Sequence, residues 1–392
     1  MKQCRADLHL HIGRAGDGRP IKIPSSPALT VEGILAEAKR KGLDLVGIVD
    51  AHFPAVRQDV ESLIRSDRLE PLTGGGYKAS NGVVILTGVE METWKGRFHQ
   101  VAFFPTLEQL GDFARRLLTL GSGRWSSPQR VAAEPSKILS ETLSRQGFFF
   151  FAHVFTPYRG LYSAGLLRNF LTEGEREQLA AVELGLSADS PMADHLAELA
   201  PYTFLSNSDA HSLGKLAREF NVLRLAEASF QEVEMALLRR QGRRVDANFG
   251  LDPRLGKYHR TYCPNCDHLA LSAPPVLTCP ECGNQVVVLG VMDRLIHLAG
   301  RRESQPPPHR PPYHYQIPLE YLPGIGLRAK DALLQNFGSE INALHQATAS
   351  ELERVLGPKK TGLILSARRG ELPLLPGGGG RYGRVKLDGK LL

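Results

Sequence analysis

Over the first 250 residues, short apolar runs alternate with stretches in which apolar residues recur every three or four positions. The runs at 45–49, 83–86, 101–104, 147–152, 182–184 and 203–206 predict strands. The helical period at 31–41, 106–120, 135–145 and 230–240 predicts helices between them. Alternation of this kind predicts a mostly parallel sheet covered by helices, with its site at the carboxyl ends of the strands.

The pattern changes after residue 250. The chain divides into four units: an α/β domain at 1–250, a cysteine-bearing unit at 251–297, a proline-rich connector at 298–318 and a helical segment at 319–392. The connector contains SQPPPHRPPYHYQIP and reads as extended and semi-rigid. The last segment carries the glycine cluster PGGGGRYG at 376–383. No internal repeat of 20 to 50 residues is present.

Histidines and acids recur beside the predicted strands. They lie in DLHLH (Asp7, His9, His11), VDAH (Asp50, His52), GVEMET (Glu90), then at His99 and His153, and in SDAH (Asp209, His211). Residues two apart on a strand reach the same face, so His9 pairs with His11 and Asp209 with His211. Hard carboxylates mixed with imidazoles suit two or three Zn²⁺, Mn²⁺, Mg²⁺ or Fe ions and the hydrolysis of phosphate esters. Glu90 is the expected bridging carboxylate. Asp209, Glu90 and His211 are the residues expected to carry catalysis. Asp7 and Asp50 sit beside ligands and are expected to orient imidazoles. Asp17, in GRAGDGRP, is open between an added ligand and a turn former.

Four of the five cysteines form CPNC and CPEC, with twelve residues between Cys266 and Cys279. Cys263, Cys266, Cys279 and Cys282 so spaced predict one tetrahedral structural Zn²⁺, with an iron site as the competitor. His259 and His268 lie close enough in sequence to compete as ligands. Lys257, Arg260 and Tyr262 flank the unit, which serves either a nucleic-acid contact or a spacer role. Cys4, the fifth, falls in the first strand and is expected to be a buried, reduced thiol.

Composition is that of a globular protein, 42% hydrophobic and 23% charged, and the formal charge of +7 favours a polyanionic partner. No apolar run reaches about 18 residues and no signal-type segment follows Met1, so a cytoplasmic monomer is expected. LPGIGLRAK has the form of a helix-hairpin-helix turn: Gly324 and Gly326 admit a phosphate close to the backbone and Lys330 adds charge. An ordinary helix connection is the other reading. Arg381, Tyr382 and Arg384 in the glycine cluster either wrap a nucleic-acid strand or belong to a flexible tail.

The order of histidine and acid segments resembles the PHP (polymerase and histidinol phosphatase) family. That resemblance implies a distorted (β/α)7 barrel with a multi-metal site, and carries His9, His11, His52, Glu90, His99, His153, Asp209 and His211 over as ligands. Two departures stand out. Ala51 intervenes between Asp50 and His52, where the family has its histidine next to the aspartate, and the first-motif acid has no clear counterpart. With the cysteine ribbon, the helical segment and the strings DLHLHIGR, ELGLSAD, SNSDAHSLGKLARE and PGGGGRYG, the whole chain is similar to endonuclease Q. The resemblance implies nicking of DNA 5′ of uracil, hypoxanthine, xanthine or an abasic site, leaving 3′-hydroxyl and 5′-phosphate ends. A nucleotide must then be flipped into the barrel. FTPYRGLY offers Phe155, Tyr158 and Tyr162 either as its aromatic wall or as core. Lys215 and Arg218 offer phosphate clamps or a solvated helix face. Two other readings remain: a small-molecule phosphatase, which leaves the last third of the chain unexplained, and a DNA-binding protein with a degenerate barrel.

Overall fold

A computed structural model describes residues 1–93, 98–299 and 303–386. Its main sheet runs Thr203–Leu205, Ala181–Glu183, Phe148–Phe151, Phe98–Phe104, Val84–Thr93, Leu45–Ile48, Lys2–Leu10, Phe220–Leu225, Arg244–Gly250, Tyr313–Tyr315. The sheet is mixed rather than mostly parallel. Val84–Thr93 and Phe98–Phe104 form an antiparallel pair, and Phe220–Leu225 is antiparallel to both of its neighbours. The first reversal joins strands only a few residues apart in sequence, as an antiparallel pair allows; the pairing of Phe220–Leu225 with Lys2–Leu10 brings together strands more than 200 residues apart. The sheet curls until the edge at Thr203–Leu205 comes round to Lys2–Leu10. Beyond Thr203–Leu205, Ala210 bridges Leu10 and the Asn207 side chain accepts the Leu8 amide at 3.0 Å. The result is a distorted α/β barrel.

Adjacent residues Leu45 and Val46 fall in different apolar clusters, as alternate side chains on a strand must. One cluster joins Val46, Ile48 and Ile85 to the helices Val31–Lys41, Pro54–Arg65 and Leu107–Thr119. The other joins Leu45, Val84, Phe103, Phe150 and Leu223 to the helix Phe230–Leu237. Thr30, Thr106 and Ser229 cap three of these helices by accepting a backbone amide from the first turn. That arrangement explains why the helix starts were readable. The helix Pro54–Arg65 was not anticipated, nor were the strands Phe220–Leu225 and Arg244–Gly250. Both strands carry buried asparagines, Asn221 and Asn248, which bond each other and the Phe204 and Ser206 carbonyls. A polar residue at a buried strand position hides the apolar run.

The connector is extended but it is not a free spacer. Tyr313–Tyr315 adds a parallel strand beside Arg244–Gly250, and the Arg310 guanidinium meets buried Asp194 at 2.9 Å. Beyond it a third apolar cluster unites Leu251, Leu319, Leu333, Leu352 and Ile364. The turn at Gly324, with φ +83°, precedes the helix Leu327–Phe337, and a single turn Leu319–Tyr321 stands where a hairpin's first helix would be. Lys330 is not free for a phosphate. Its ammonium lies 3.4 Å from Glu340, which also meets Lys41 of the barrel at 2.8 Å. Removing one partner of a buried pair leaves the other charge stranded, at about 3–5 kcal/mol. Glu340→Ala should therefore lower the unfolding midpoint and open the barrel–helical joint to proteolysis; an unchanged midpoint would refute this coupling. Burial pushes the Glu340 carboxyl up, but the two ammoniums outweigh it and hold the group below its usual range. The effect should be full at neutral pH and fade as the pH falls through that lowered value.

Candidate metal and active centre

The first strand delivers two imidazoles to one place. His9 and His11 are fully buried, and each is aimed by a carboxylate on its Nδ1: Glu183 at 3.0 Å for His9 and Asp50 at 2.9 Å for His11. This leaves both Nε2 atoms facing Glu90 and Asp209. His9 Nε2 has no hydrogen-bond partner; it lies 3.5 Å from Glu90 Oε1 and 3.9 Å from Asp209 Oδ1. His11 Nε2 lies 3.5 Å from Glu90 Oε2 and 3.3 Å from Asp209 Oδ1. Glu90 is 1% exposed and spans two donor groups, since its Oε1 also meets His99 Nδ1 at 2.7 Å and His153 Nε2 at 3.4 Å.

Convergent donors around an orphaned, buried ring nitrogen fit divalent cations better than they fit a hydrogen-bond network. One group is His9, His11 and Glu90, extended by Asp209; a second is Glu90, His99 and His153; His11, Asp209 and His211 form a third that shares two of its members with the first. His153 and Asp209 both sit at positive φ, +28° and +44°, which costs backbone energy. Buried acids hold them there. Glu183 accepts the His153 amide at 3.0 Å, and Asp7 accepts the amides of Ser208 at 3.0 Å and Ala217 at 3.1 Å.

Two expectations, for Asp7 and His52, need correction; one orienting residue was missed and the open reading of Asp17 is decided. Asp7 orients no imidazole and instead anchors the loop that carries Asp209. The carboxylate that orients His9 is Glu183, hidden in an apolar strand with nothing in its spacing to mark it. His52 does not join the cluster. The chain turns into the helix at Pro54, so His52 packs on Phe53 with ring centroids 4.6 Å apart and its Nε2 meets the Ser126 carbonyl at 3.0 Å. Burial lowers its pKa to about 4, consistent with a neutral ring bonded away from the pocket. Asp17 pairs with Arg19 at 2.6 Å on the surface and is a turn former.

Lys22 was not foreseen. It is buried, with Nζ 2.9 Å from His11 Nε2 and 3.2 Å from Glu90 Oε2. Burial opposes its charge, but Glu90, Asp50 and Asp209 outweigh that and keep the ammonium protonated.

A pocket of about 410 Å³ opens onto this cluster, reaching His153, Asp209 and His211 at one end and Lys215, Lys257, Tyr258 and Tyr382 at the other. Arg218, 3% exposed, is a strut: it bonds the Ser208 carbonyl at 2.7 Å and the Tyr382 hydroxyl at 3.0 Å. Tyr382 thereby becomes a pocket wall, with Lys257 Nζ 4.7 Å from its ring centroid. The glycine cluster is packed rather than loose. A Cβ on Gly377 would meet the Gly256 carbonyl at 2.3 Å, and Gly379, at φ +60°, lies under the Tyr262 ring. Arg381 stays on the surface near Asp267, at 3.6 Å. Phe155 and Tyr162 are core, stacked at 5.1 Å, with the Tyr162 hydroxyl on Glu198 at 2.8 Å. Tyr158 is 65% exposed and borders a separate cavity of about 380 Å³ against Val287 and Leu289 of the cysteine unit.

In that unit Cys263 and Cys282 Sγ are 3.7 Å apart, and Cys266 and Cys279 3.5 Å. Thiolates on a tetrahedron with metal–sulfur bonds of about 2.3 Å are separated by roughly 3.8 Å. The four sulfurs form one group without His259 or His268. Burial raises the Cys263 thiol, yet backbone amides of Cys266 and Asn265 outweigh it and bring its pKa down to about 6, which favours the metal-binding thiolate. The unit is tied to the barrel through Arg294, whose Nε donates to the Tyr162 carbonyl at 3.0 Å. Cys4, by contrast, is buried and its thiol is pushed up to about 12, chiefly by desolvation.

No family model matches the chain. YqxK of Bacillus subtilis is 41% identical over 391 residues, covering 98% of this chain and all of that protein. The crystal structure of the lesion-specific endonuclease PfuEndoQ from Pyrococcus furiosus superposes with a TM-score of 0.84 at 30% identity, over 98% of this chain and 96% of that one. The chain belongs to the endonuclease Q family. It is a metal-dependent endonuclease. A further endonuclease Q structure, complexed with a 27-mer duplex with an abasic lesion at the active site, matches with a TM-score of 0.84 and 30% identity over 99% of this chain and 97% of that one. Among the described residues no helix is long and apolar enough to cross a membrane.

Glu183→Gln keeps the shape of the residue but weakens its hold on His9; a carboxylate behind a metal-ligating imidazole contributes about 10–100-fold in affinity. Metal competition with a graded chelator should show a loss of that size in the pocket while the cysteine site keeps its ion. Equal affinity would remove Glu183 from the site. For His9 and His99 burial opposes protonation, but Glu183 acting on His9 and Glu90 acting on His99 raise their pKa values above the usual 6.5. Protons therefore compete with the ions, and chelator stripping of the pocket should ease as the pH falls, beginning above pH 6.5.

Proposed function

We propose that this endonuclease cuts DNA immediately 5′ of a deaminated or abasic nucleotide (uracil, hypoxanthine, xanthine or a missing base) and leaves 3′-hydroxyl and 5′-phosphate ends. The observation that carries this reading is the pocket of about 410 Å³, walled by Tyr382 and Tyr258 and ending at Asp209 and His211. It has room for one extruded nucleotide rather than a duplex. Extrusion costs a few kcal/mol, least where pairing is already weak or absent, so the flip itself favours such sites. The DNA-bound relative with an abasic lesion at its active site supports the same reading.

Bound divalent ions, which we take to be Zn²⁺, Mn²⁺ or Mg²⁺, supply charge neutralisation at the phosphate and acidify water at neutral pH. His9, His11, Glu90 and Asp209 would hold one, with His99 and His153 sharing Glu90 for another. The other roles belong to side chains in the pocket. Lys215 and Lys257 offer ammoniums to the non-bridging phosphate oxygens, with Arg218 bracing the wall behind them. His211, neutral because burial lowers its pKa to about 4, donates from Nδ1 to the Asp209 carbonyl at 3.0 Å and presents its other nitrogen to the pocket. The unit of Cys263, Cys266, Cys279 and Cys282 would carry a structural Zn²⁺ that sets Lys257 and Tyr258 at the rim.

Duplexes carrying a single uracil, hypoxanthine, xanthine or abasic position should be nicked one phosphodiester 5′ of the lesion, while the intact duplex is not. Asp209→Ala should lower nicking by at least about 10³-fold, in keeping with loss of a shared metal ligand, and leave DNA retention in a gel largely unchanged. Equal cleavage of intact and damaged duplexes would sink the lesion reading. Undiminished cleavage by Asp209→Ala would sink the site. Cys279→Ser should release the structural ion and weaken DNA binding with the barrel still folded.

A further inference from the structure

The turn that carries Lys22 into the metal cluster also carries an isoleucine out of it. Ile23 is 88% exposed, the most exposed large apolar side chain among the described residues, and it belongs to none of the three apolar clusters. On one side of it the Lys22 side chain is buried against His11 and Glu90. On the other, Pro24 lines the pocket that reaches Asp209 and His211. Ile23 therefore stands on the pocket rim with its side chain in solvent.

This tip is held rather than loose. The Lys22 amide donates to the Ile12 carbonyl at 3.1 Å, the Ser25 amide to the Lys22 carbonyl at 2.9 Å and the Ser26 amide to the His211 carbonyl at 2.8 Å. Gly13 lies so close to the Ser26 carbonyl that no Cβ would fit between them. The branch at Cβ stiffens the isoleucine itself. A stiff side chain on a pinned turn has little freedom left to lose, so its insertion into a confined space costs little ordering entropy. Water is the unfavourable surrounding for it, and burial against an apolar face of matching size is favourable.

We propose that Ile23 is a wedge that enters the base stack when a nucleotide leaves the duplex for the pocket, with Pro24 as its shoulder. The inference rests on the lesion-cleaving reading, which requires a nucleotide to be extruded. Extrusion leaves a gap between two flat apolar faces, those of the neighbouring bases. Isoleucine and proline are among the side chains that proteins insert between base steps. Charges around the turn favour the same partner: Arg14 and Arg19 are exposed in its loop, the latter paired with Asp17, and Lys215 and Lys257 line the pocket with Pro24. A wedge acts before the cut, by holding the gap open. Its contribution is therefore largest where pairing and stacking resist extrusion and smallest where the nucleotide is already free.

Two substrates separate insertion from general binding and chemistry: uracil paired with adenine inside a continuous duplex, and uracil in a bubble of unpaired bases. Ile23→Ala should leave the full-length protein folded, since the side chain is 88% exposed. It should lower the ratio of paired to bubble nicking, measured as kcat/KM, by about 10-fold or more, the scale set by burying one aliphatic side chain. Ile23→Leu should restore most of that ratio. An unchanged ratio in Ile23→Ala overturns the proposal, whether both rates fall together or neither does. A second readout needs no cleavage. In an Asp209→Ala background, 2-aminopurine placed beside the uracil should brighten on binding as its stacking is lost, and brighten much less once Ile23→Ala is added. Equal brightening, or none in either protein, overturns the wedge as well. If the wild type cuts neither substrate, the functional reading fails, and the fluorescence difference decides the wedge on its own.

Discussion

The structure depends on keeping several carboxylates ionised in a space where almost no water reaches. Glu90, Asp50 and Glu183 are essentially unexposed, and isolated charges in such surroundings are costly enough to force protonation or unfolding. Each is satisfied by a different device. Asp50 and Glu183 take N–H donors from imidazoles and backbone amides; Glu90 is shared among four imidazoles and an ammonium. Metal ions complete the balance. The barrel exists to deliver these groups from separate strands to one point, and the cluster repays it by joining the strands' carboxyl ends.

Two positive-φ residues show where the fold is strained to achieve this. His153 and Asp209 carry conformations that ordinary side chains avoid, and each is pinned by a buried acid contributed by a distant strand. Strain at ligand positions with supporting hydrogen bonds is a sign of preorganisation, because the donors meet an ion without rearranging.

The appended units finish the pocket rather than merely extending the protein. Lys257 and Tyr258 come from the start of the cysteine unit, and Tyr382 comes from the glycine cluster at the far end of the chain. The glycines matter at two positions. Gly377 passes too close to the Gly256 carbonyl for any side chain, and Gly379 adopts left-handed backbone beneath the Tyr262 ring. A barrel alone would have an open metal cluster; the added wall turns it into a cavity of nucleotide size.

Spacing along the chain was enough to place His9, His11, Glu90, His99, His153, Asp209 and His211 near one another and to gather the four cysteines, because strand periodicity and CxxC geometry are local. The apolar period also located the helices at 31–41, 106–120, 135–145 and 230–240. It could not reveal partners contributed across the barrel. Glu183 opens the string ELGLSAD, but nothing in its spacing marks it as the partner of His9, and Lys22 lies in no recognisable pattern. His52 looked like a ligand because VDAH mirrors SDAH, yet the helix beginning at Pro54 carries its ring away. Phe155 and Tyr162 looked like a base platform until packing consumed them. Which side chains gather at the pocket was thus written into the chain's local chemistry, whereas the wall of the pocket and the charges around it arose only when separate segments were brought together, since electrostatic and steric partnership is a property of distance in space.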